Sequence, residues 1–180
     1  MMNLANILSI ARLALLPFII LLFFIPFEWA AWSCLALYAI GAITDFIDGW
    51  VARKYDQVTE FGKFIDPISD KIFVVTILLM LIAVDRIEGV FVLAVVVILV
   101  REFVVAGLRE FLGPKDVKLP VTNLAKWKTM IQMVATGFLV MAPYYLLAKV
   151  IGLAGLCAAA AITAWTGWLY LKTALVHIKD

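Results

Sequence analysis

Apolar residues in this chain come in long, nearly unbroken runs, without the short alternations of soluble elements. Residues 129–148 and 150–171 are almost uncharged and are separated by Lys149. Each is about as long as a helix that crosses a bilayer, roughly 20 residues. Four earlier runs, 13–27, 29–44, 72–84 and 89–100, are shorter, and polar residues such as Asp45, Asp70 and Arg101 extend them at one end. The pattern predicts six helical spans near 5–27, 29–54, 62–84, 88–110, 124–145 and 149–173. The expected fold is all-α: a polytopic integral membrane protein with six transmembrane helices. No soluble stretch is long enough for a second unit, so residues 1–180 read as a single membrane-embedded domain. The first apolar segment carries Arg12 and has no small-residue cleavage site, which marks it as a retained helix and not a leader.

Composition strengthens this picture. The chain is 66% hydrophobic with a mean hydropathy of +1.08, whereas soluble domains are about 45–50% apolar. Disorder is excluded, and the composition argues against a soluble core. The net charge of +2 says little, but its distribution orients the chain. Arg12, Arg53, Lys54, Lys63, Lys71, Arg109, Lys115, Lys118, Lys126, Lys128, Lys172 and Lys179 fall on one side of the six spans, and Arg101 lies within span four near that side. Only Arg86 and Lys149 fall opposite. The basic side is expected to be cytoplasmic, with both termini there.

Cys34 and Cys157 lie in apolar spans without a C-x-x-C partner and read as small core residues. His177 is the single histidine, so mechanisms that need two are excluded. Trp29, Trp32, Trp50, Trp127, Tyr144 and Tyr145 sit near span ends, as an interfacial aromatic belt requires. Gly152, Gly155 and Ala158 to Ala161 give span six a small-residue surface suited to close helix packing.

Against this oily background, residues 45–70 read DFIDGWVARKYDQVTEFGKFIDPISD. An ionised side chain at the centre of a bilayer costs about 2.5–3.5 kcal/mol on insertion scales, so Asp45, Asp48, Asp66 and Asp70 need compensation. Asp45 and Asp48 are three apart, and Asp66 and Asp70 four apart, so each pair shares a helix face. Two carboxylate pairs at cytoplasmic helix ends suit divalent cations. All-oxygen donors fit Mg²⁺ or Mn²⁺, and two such ions can clamp both oxygens of a phosphoryl displacement. Gly49 and Gly62 would let backbone approach a ligand, Pro67 suits a first helical turn, and Arg53 is placed to meet an anionic group. Taken alone, Asp45 and Asp48 would read as ordinary helix-end charges; Asp56, Glu60 and Lys63 read as a solvated loop.

A second polar cluster ends span four, REFVVAGLRE, and opens span five, NLAKWKT. Arg101 and Arg109 are eight apart and roughly share a face. With Lys126 and Lys128 they would form a phosphate pocket, arginine gripping bidentately and lysine as a point charge. A second reading pairs Arg101 with a carboxylate and leaves the lysines to the positive-inside bias or to anionic lipid. Asn6, Ser9 and Arg12 recur every three residues on one face of span one; for Ser9, an interfacial polar stripe with Arg12 snorkelling is an equally good account.

The pattern Asp45, Asp48, Gly49, Ala52, Arg53, Gly62, Asp66 and Asp70 resembles the signature of the CDP-alcohol phosphotransferase family, D-x-x-D-G-x-x-A-R, eight residues, then G-x-x-x-D-x-x-x-D. Eight fixed positions over 26 residues match without a departure, and length and spans extend the resemblance over nearly the whole chain. It implies an active site at the cytoplasmic side of a bacterial inner membrane and transfer from a CDP-linked lipid to an acceptor hydroxyl with release of CMP. It further implies two divalent ions held by the four aspartates, and Asp70 as proton acceptor. An ordinary aspartate, with a pKa of about 3.9, is a weak base toward an alcohol and would take the proton late.

The resemblance assigns Gly49, Arg53 and Thr59 to the CDP portion, with Asn6 and Ser9 near it (Ser9 stands where the family often has threonine), and implies a homodimer. The Arg101–Glu110 and Lys126–Thr129 stretches resemble the bacterial branch that makes phosphatidylglycerophosphate. That branch implies CDP-diacylglycerol as donor, sn-glycerol 3-phosphate as acceptor, and Arg12, Arg101, Arg109, Lys126 and Lys128 around the acceptor phosphate. Membrane lipids are the expected surroundings and no nucleic acid is expected. Alternatives are a sibling enzyme using inositol phosphate, phosphatidylglycerol or serine, an aspartate-dependent intramembrane prenyltransferase, and a divalent-cation transporter. The prenyltransferase lacks support because D-D-x-x-D-type motifs are missing, and the transporter because spans five and six carry no acidic residue.

Overall fold

In the computed structural model, residues 4–54, 60–113 and 123–178 are described, except for the side chains at 4, 5, 45–54, 60, 61, 63, 123 and 176–178. The described chain forms six helices: α1 (Leu4–Phe23), α2 (Glu28–Lys54), α3 (Glu60–Ala83), α4 (Phe91–Leu112), α5 (Asn123–Val140) and α6 (Leu146–Ile178). Three of them contain stretches long and apolar enough to cross a membrane: Asn6–Phe23, Phe91–Leu112 and Leu146–Leu175. Outward-facing residues such as Phe18, Leu21, Leu93 and Trp165 are exposed. An apolar exterior on this scale is what a lipid solvent selects, and the chain is a membrane protein.

Local chemistry sets the helix ends. Pro26 follows α1 and Glu28 opens α2, its charge favourable at a helix N-terminus. After α3 the chain closes a Schellman motif. Asp85 takes φ 56°, its N–H donates to the Ile82 carbonyl at 3.1 Å, and the Arg86 N–H donates to Leu81 at 2.9 Å. Aspartate tolerates this left-handed conformation better than most residues. α5 stops at Val140 and not at the expected 145, because Pro143 sits in the connecting turn and cannot continue a helix. α3 starts at Glu60, so Pro67 lies inside it and not in its first turn as the sequence suggested. The ring removes the N–H that would donate to the backbone carbonyl of residue 63; separately, Lys71 Nζ donates to the Pro67 carbonyl at 3.0 Å.

α1 packs against α2 and α3, α5 against α6, and α4 against α6, while α3 meets α4 and α5 only thinly. Leu16, Ile19, Ile77, Leu81, Ile98, Leu139 and Leu156 form the buried centre. The α5–α6 crossing needs a glycine: a Cβ at Gly152 would lie 2.7 Å from Leu139 Cγ and 3.1 Å from the Ala135 carbonyl. Cys34 is buried as expected, but Cys157 faces outward from α6, because the inward side of that turn is taken by Leu156 and Ala160.

The two basic residues expected opposite the others are satisfied at one end of the bundle. Arg86 donates to the Val140 carbonyl at 2.5 Å and lies 4.9 Å from the Phe23 ring centre. Lys149 pairs with Glu88 at 3.2 Å. Nearby, Tyr145 donates to Glu28 at 2.6 Å.

Candidate active site

The site lies at the opposite end. α3 presents Asp66 and Asp70 one turn apart, and α1 lays Ser9 and Arg12 against it; Asn6, Ser9 and Arg12 are all buried. Ser9 Oγ donates to Asp66 Oδ1 at 2.7 Å. Arg12 Nη1 donates to Asp70 Oδ1. Buried Ser69, between the two aspartates, donates to the Ser9 carbonyl at 3.1 Å and fixes the register of α1 on α3. Ser9 and Arg12 of the N-terminal stripe therefore belong to a hydrogen-bonded seam with α3, and Arg12 is buried and does not snorkel. Arg12 is enclosed, with its side chain 1% exposed, whereas that of Asp70 is 48% exposed.

Asp66 and Asp70 reach a cavity of about 400 Å³. Arg12 lines it from α1, Gly41 from α2, Glu102 and Arg109 from α4, and Lys128 and Gln132 from α5. Gly41 brings α2 close, since a Cβ there would sit 2.6 Å from the Phe73 ring. Asp45 follows Gly41 by one turn and Asp48 by two on the same helix. The side chains of Asp45, Asp48, Gly49 and Arg53 lie outside the described residues, as does Thr59 altogether.

On the far wall Glu102 gathers two cations, Lys128 inside the chamber and Arg101, which lines the neighbouring cleft. Arg101 Nη1 donates to Glu102 Oε1 at 3.1 Å, and buried Lys128 donates to the same oxygen. Arg101 thus has a carboxylate partner, as one of its two readings expects, and shares it with Lys128. α6 supports it. Arg101 lies 5.4 Å and Arg109 5.8 Å from the Tyr170 ring centre. Arg101 Nη2 is 3.5 Å from Thr166 Oγ1. A Cβ at Gly167 would press within 2.8 Å of Arg101 Cγ, so glycine makes room for the stem of that side chain. Lys126 is exposed at the start of α5 and lines neither this cavity nor its neighbour.

The neighbour is a larger cleft of about 1120 Å³ between α3 and α4. Phe64, Ile68, Ile72 and Phe103 give it apolar walls, and Lys71, Arg101, Arg109 and Glu110 give it a charged rim. Arg109, Lys71 and Glu102 border both spaces, so an apolar trough opens onto a charged chamber.

The donor set of the chamber fits a hard divalent cation. Asp66 and Asp70 offer carboxylate oxygens on one wall, and among the described residues no histidine or cysteine lines it. Sequence reasoning gave no role to Glu102, Gln132, Gly167 or Tyr170. Gln132 did carry a signal, a lone carboxamide in an apolar run one turn beyond Lys128.

Residues 2–172 match the family described as CDP-alcohol phosphatidyltransferase. Among curated relatives, the CDP-diacylglycerol--glycerol-3-phosphate 3-phosphatidyltransferase of Rickettsia typhi is 43% identical over 177 residues, covering 96% of this chain and 97% of its own. Proteins of the same name from Cereibacter sphaeroides, 35% identical over 99% of this chain and 98% of its own, and Pectobacterium atrosepticum, 35% identical over 96% and 94%, align equally fully. Divalent metal ions are the family's usual cofactors. A match that runs from α1 through most of α6 takes in every helix that lines the chamber, and the chain belongs to the CDP-alcohol phosphatidyltransferase family.

Proposed function

We propose that the chain transfers the phosphatidyl group of CDP-diacylglycerol to sn-glycerol 3-phosphate, giving phosphatidylglycerophosphate and CMP. One observation carries the reading. A single chamber sets the carboxylates of Asp66 and Asp70 against the cations Arg12, Arg109 and Lys128 and opens onto an apolar trough. A donor with acyl chains and a diphosphate, meeting a small phosphorylated acceptor, needs all three surfaces. The names of the Rickettsia, Cereibacter and Pectobacterium relatives support the same pair of substrates.

In this reading Asp45, Asp48, Asp66 and Asp70 would hold two Mg²⁺ or Mn²⁺ ions. When bound, these neutralise the diphosphate and the charge that grows on the departing CMP. Asn6, Ser9, Gly49, Arg53 and Thr59 serve the CDP end. Arg12 and Ser9 hold the two carboxylates of α3 in place. Arg12, Arg109 and Lys128 meet the acceptor phosphate in the chamber, and Arg101, in the neighbouring cleft, and Lys126, at the exposed start of α5, add positive charge on its approach. The acceptor hydroxyl oxygen forms a bond to the β-phosphorus, the bond from that phosphorus to CMP breaks, and the hydroxyl proton passes to Asp70 late in the step.

The reading includes six transmembrane helices in one domain over residues 1–180, set in a bacterial inner membrane with chamber and termini cytoplasmic. The collection of basic residues at the chamber end supports that orientation. A homodimer belongs to it as well. Gly152 is occupied against α5 within the chain, which leaves other faces for a second copy.

An acceptor panel tests the proposal. Purified protein with labelled CDP-diacylglycerol and Mg²⁺ is expected to release CMP with glycerol 3-phosphate and not with serine, inositol phosphate or phosphatidylglycerol. CMP release with one of those and none with glycerol 3-phosphate overturns the acceptor assignment. Gly167→Ala gives a second check. By displacing Arg101, it is expected to raise KM for glycerol 3-phosphate about tenfold with little change in KM for CDP-diacylglycerol. The reverse ranking would remove Arg101 from the acceptor's approach.

A further inference from the structure

The chamber contains one polar group that neither the proposed catalysis nor the fold uses. Gln132 stands on α5 one turn beyond Lys128, is 4% exposed and lines the chamber with Asp66 and Asp70. Its Oε1 is buried and has no hydrogen-bond partner among the described residues. Its backbone carbonyl is satisfied by Thr136 Oγ1 at 2.7 Å, so the orphan atom belongs to the side chain alone. Buried polar groups are kept when something completes them.

The surrounding charges narrow what completes this one. The acceptor phosphate has no donor to offer a carbonyl oxygen and is drawn instead to Arg109 and Lys128. The Asp66 and Asp70 carboxylates only accept. A hydroxyl fits, because it donates to Oε1 and also accepts from Nε2, so it satisfies the carboxamide in either orientation. Glycerol 3-phosphate has two hydroxyls. The less hindered primary one is the better nucleophile and gives its proton to Asp70, which leaves the secondary one.

We infer that Gln132 is a specificity-determining residue that holds the secondary, non-attacking hydroxyl of the acceptor and so selects a polyol phosphate over a simple alcohol phosphate. This rests on the acceptor proposed above. A site built to pair a hydroxyl discriminates against an analogue that lacks it, because the buried partner is then left bare.

The test compares glycerol 3-phosphate with 3-hydroxypropyl phosphate, which keeps the phosphate and the primary hydroxyl and lacks the secondary one. The native protein is expected to favour glycerol 3-phosphate by about 10–100-fold in kcat/KM. In Gln132→Leu that ratio is expected to fall to within about threefold of unity, mainly through KM for glycerol 3-phosphate. Gln132→Met repeats the measurement with a longer apolar side chain and stands in where the leucine variant does not fold. A ratio that survives in the folded variant, or loss of folding in both, assigns Gln132 to packing and overturns the inference. No CMP release by the native protein with glycerol 3-phosphate overturns the proposed function and this inference together. Normal release with an unaltered ratio overturns the inference alone.

Discussion

Asp70→Asn is expected to reduce CMP release by about 10²–10⁴-fold, the range for removing a proton acceptor from a positioned site. The structure adds a second effect. Asp70 pairs with Arg12, whose side chain is almost wholly enclosed, and removing one charge of a buried pair costs up to about 3–5 kcal/mol because the other is left uncompensated. Asp70 is itself half exposed, so water offsets part of this cost. Activity loss alone would therefore leave chemistry and stability entangled. The double variant Arg12→Met, Asp70→Asn separates them: thermal unfolding in detergent is expected to recover toward the native midpoint while turnover stays low. Near-normal CMP release from Asp70→Asn removes that residue from the proton-acceptor role. Recovery of both stability and turnover in the double variant reduces the pair to a structural contact.

Glu102→Gln is expected to have the largest effect on stability away from the aspartates. Glu102 accepts from Lys128 and from Arg101. Without its charge, two cations face each other inside the bundle with no anion between them. Breaking a buried pair at one partner costs about 3 kcal/mol or more, which for a chain of this size corresponds to a fall of roughly 10 °C in Tm. Adding Lys128→Met removes one of the stranded charges and replaces it with an apolar side chain of similar length, so about half of the lost Tm is expected to return. A single variant within about 2 °C of the native protein would mean that water already carries the charge of Lys128.

Much of the fold was legible because the bilayer imposes one rule, that backbone polar groups be satisfied within each span. Long apolar runs therefore translate directly into helices, and α1 to α4 start and end within a few residues of expectation. The ends that moved have local causes. Pro143 cut α5 short, and Lys149 did not delay α6, because its long side chain reaches Glu88 at the bundle edge. The α3 carboxylate face was legible too, since a four-residue spacing on a helix has a single geometric meaning.

Partners were harder to read. Ser9 and Arg12 revealed a face, but which aspartate each meets depends on how α1 slides along α3, and Ser69 fixes that. Arg101 and Glu102 are adjacent in sequence, a spacing at which helical side chains do not normally face one another. They meet because both side chains are long and a third group, Lys128, arrives from α5 to close the cluster. Gly167 and Tyr170 gave no signal at all. Their importance comes from the α4–α6 crossing, and one apolar span does not announce which other span it will touch.

The buried layer of Leu16, Ile19, Ile77, Leu81, Ile98, Leu139 and Leu156 lies between the charged chamber and the Arg86 end. Along α1 it extends from Leu16 to Phe23, about 10 Å at the rise of an α-helix. These hydrocarbon side chains offer no hydrogen-bonding steps along which a proton could hop, nor oxygens to strip a cation of its water. A proton or a hydrated cation entering among them would meet nearly the same cost as in the hydrocarbon of a bilayer.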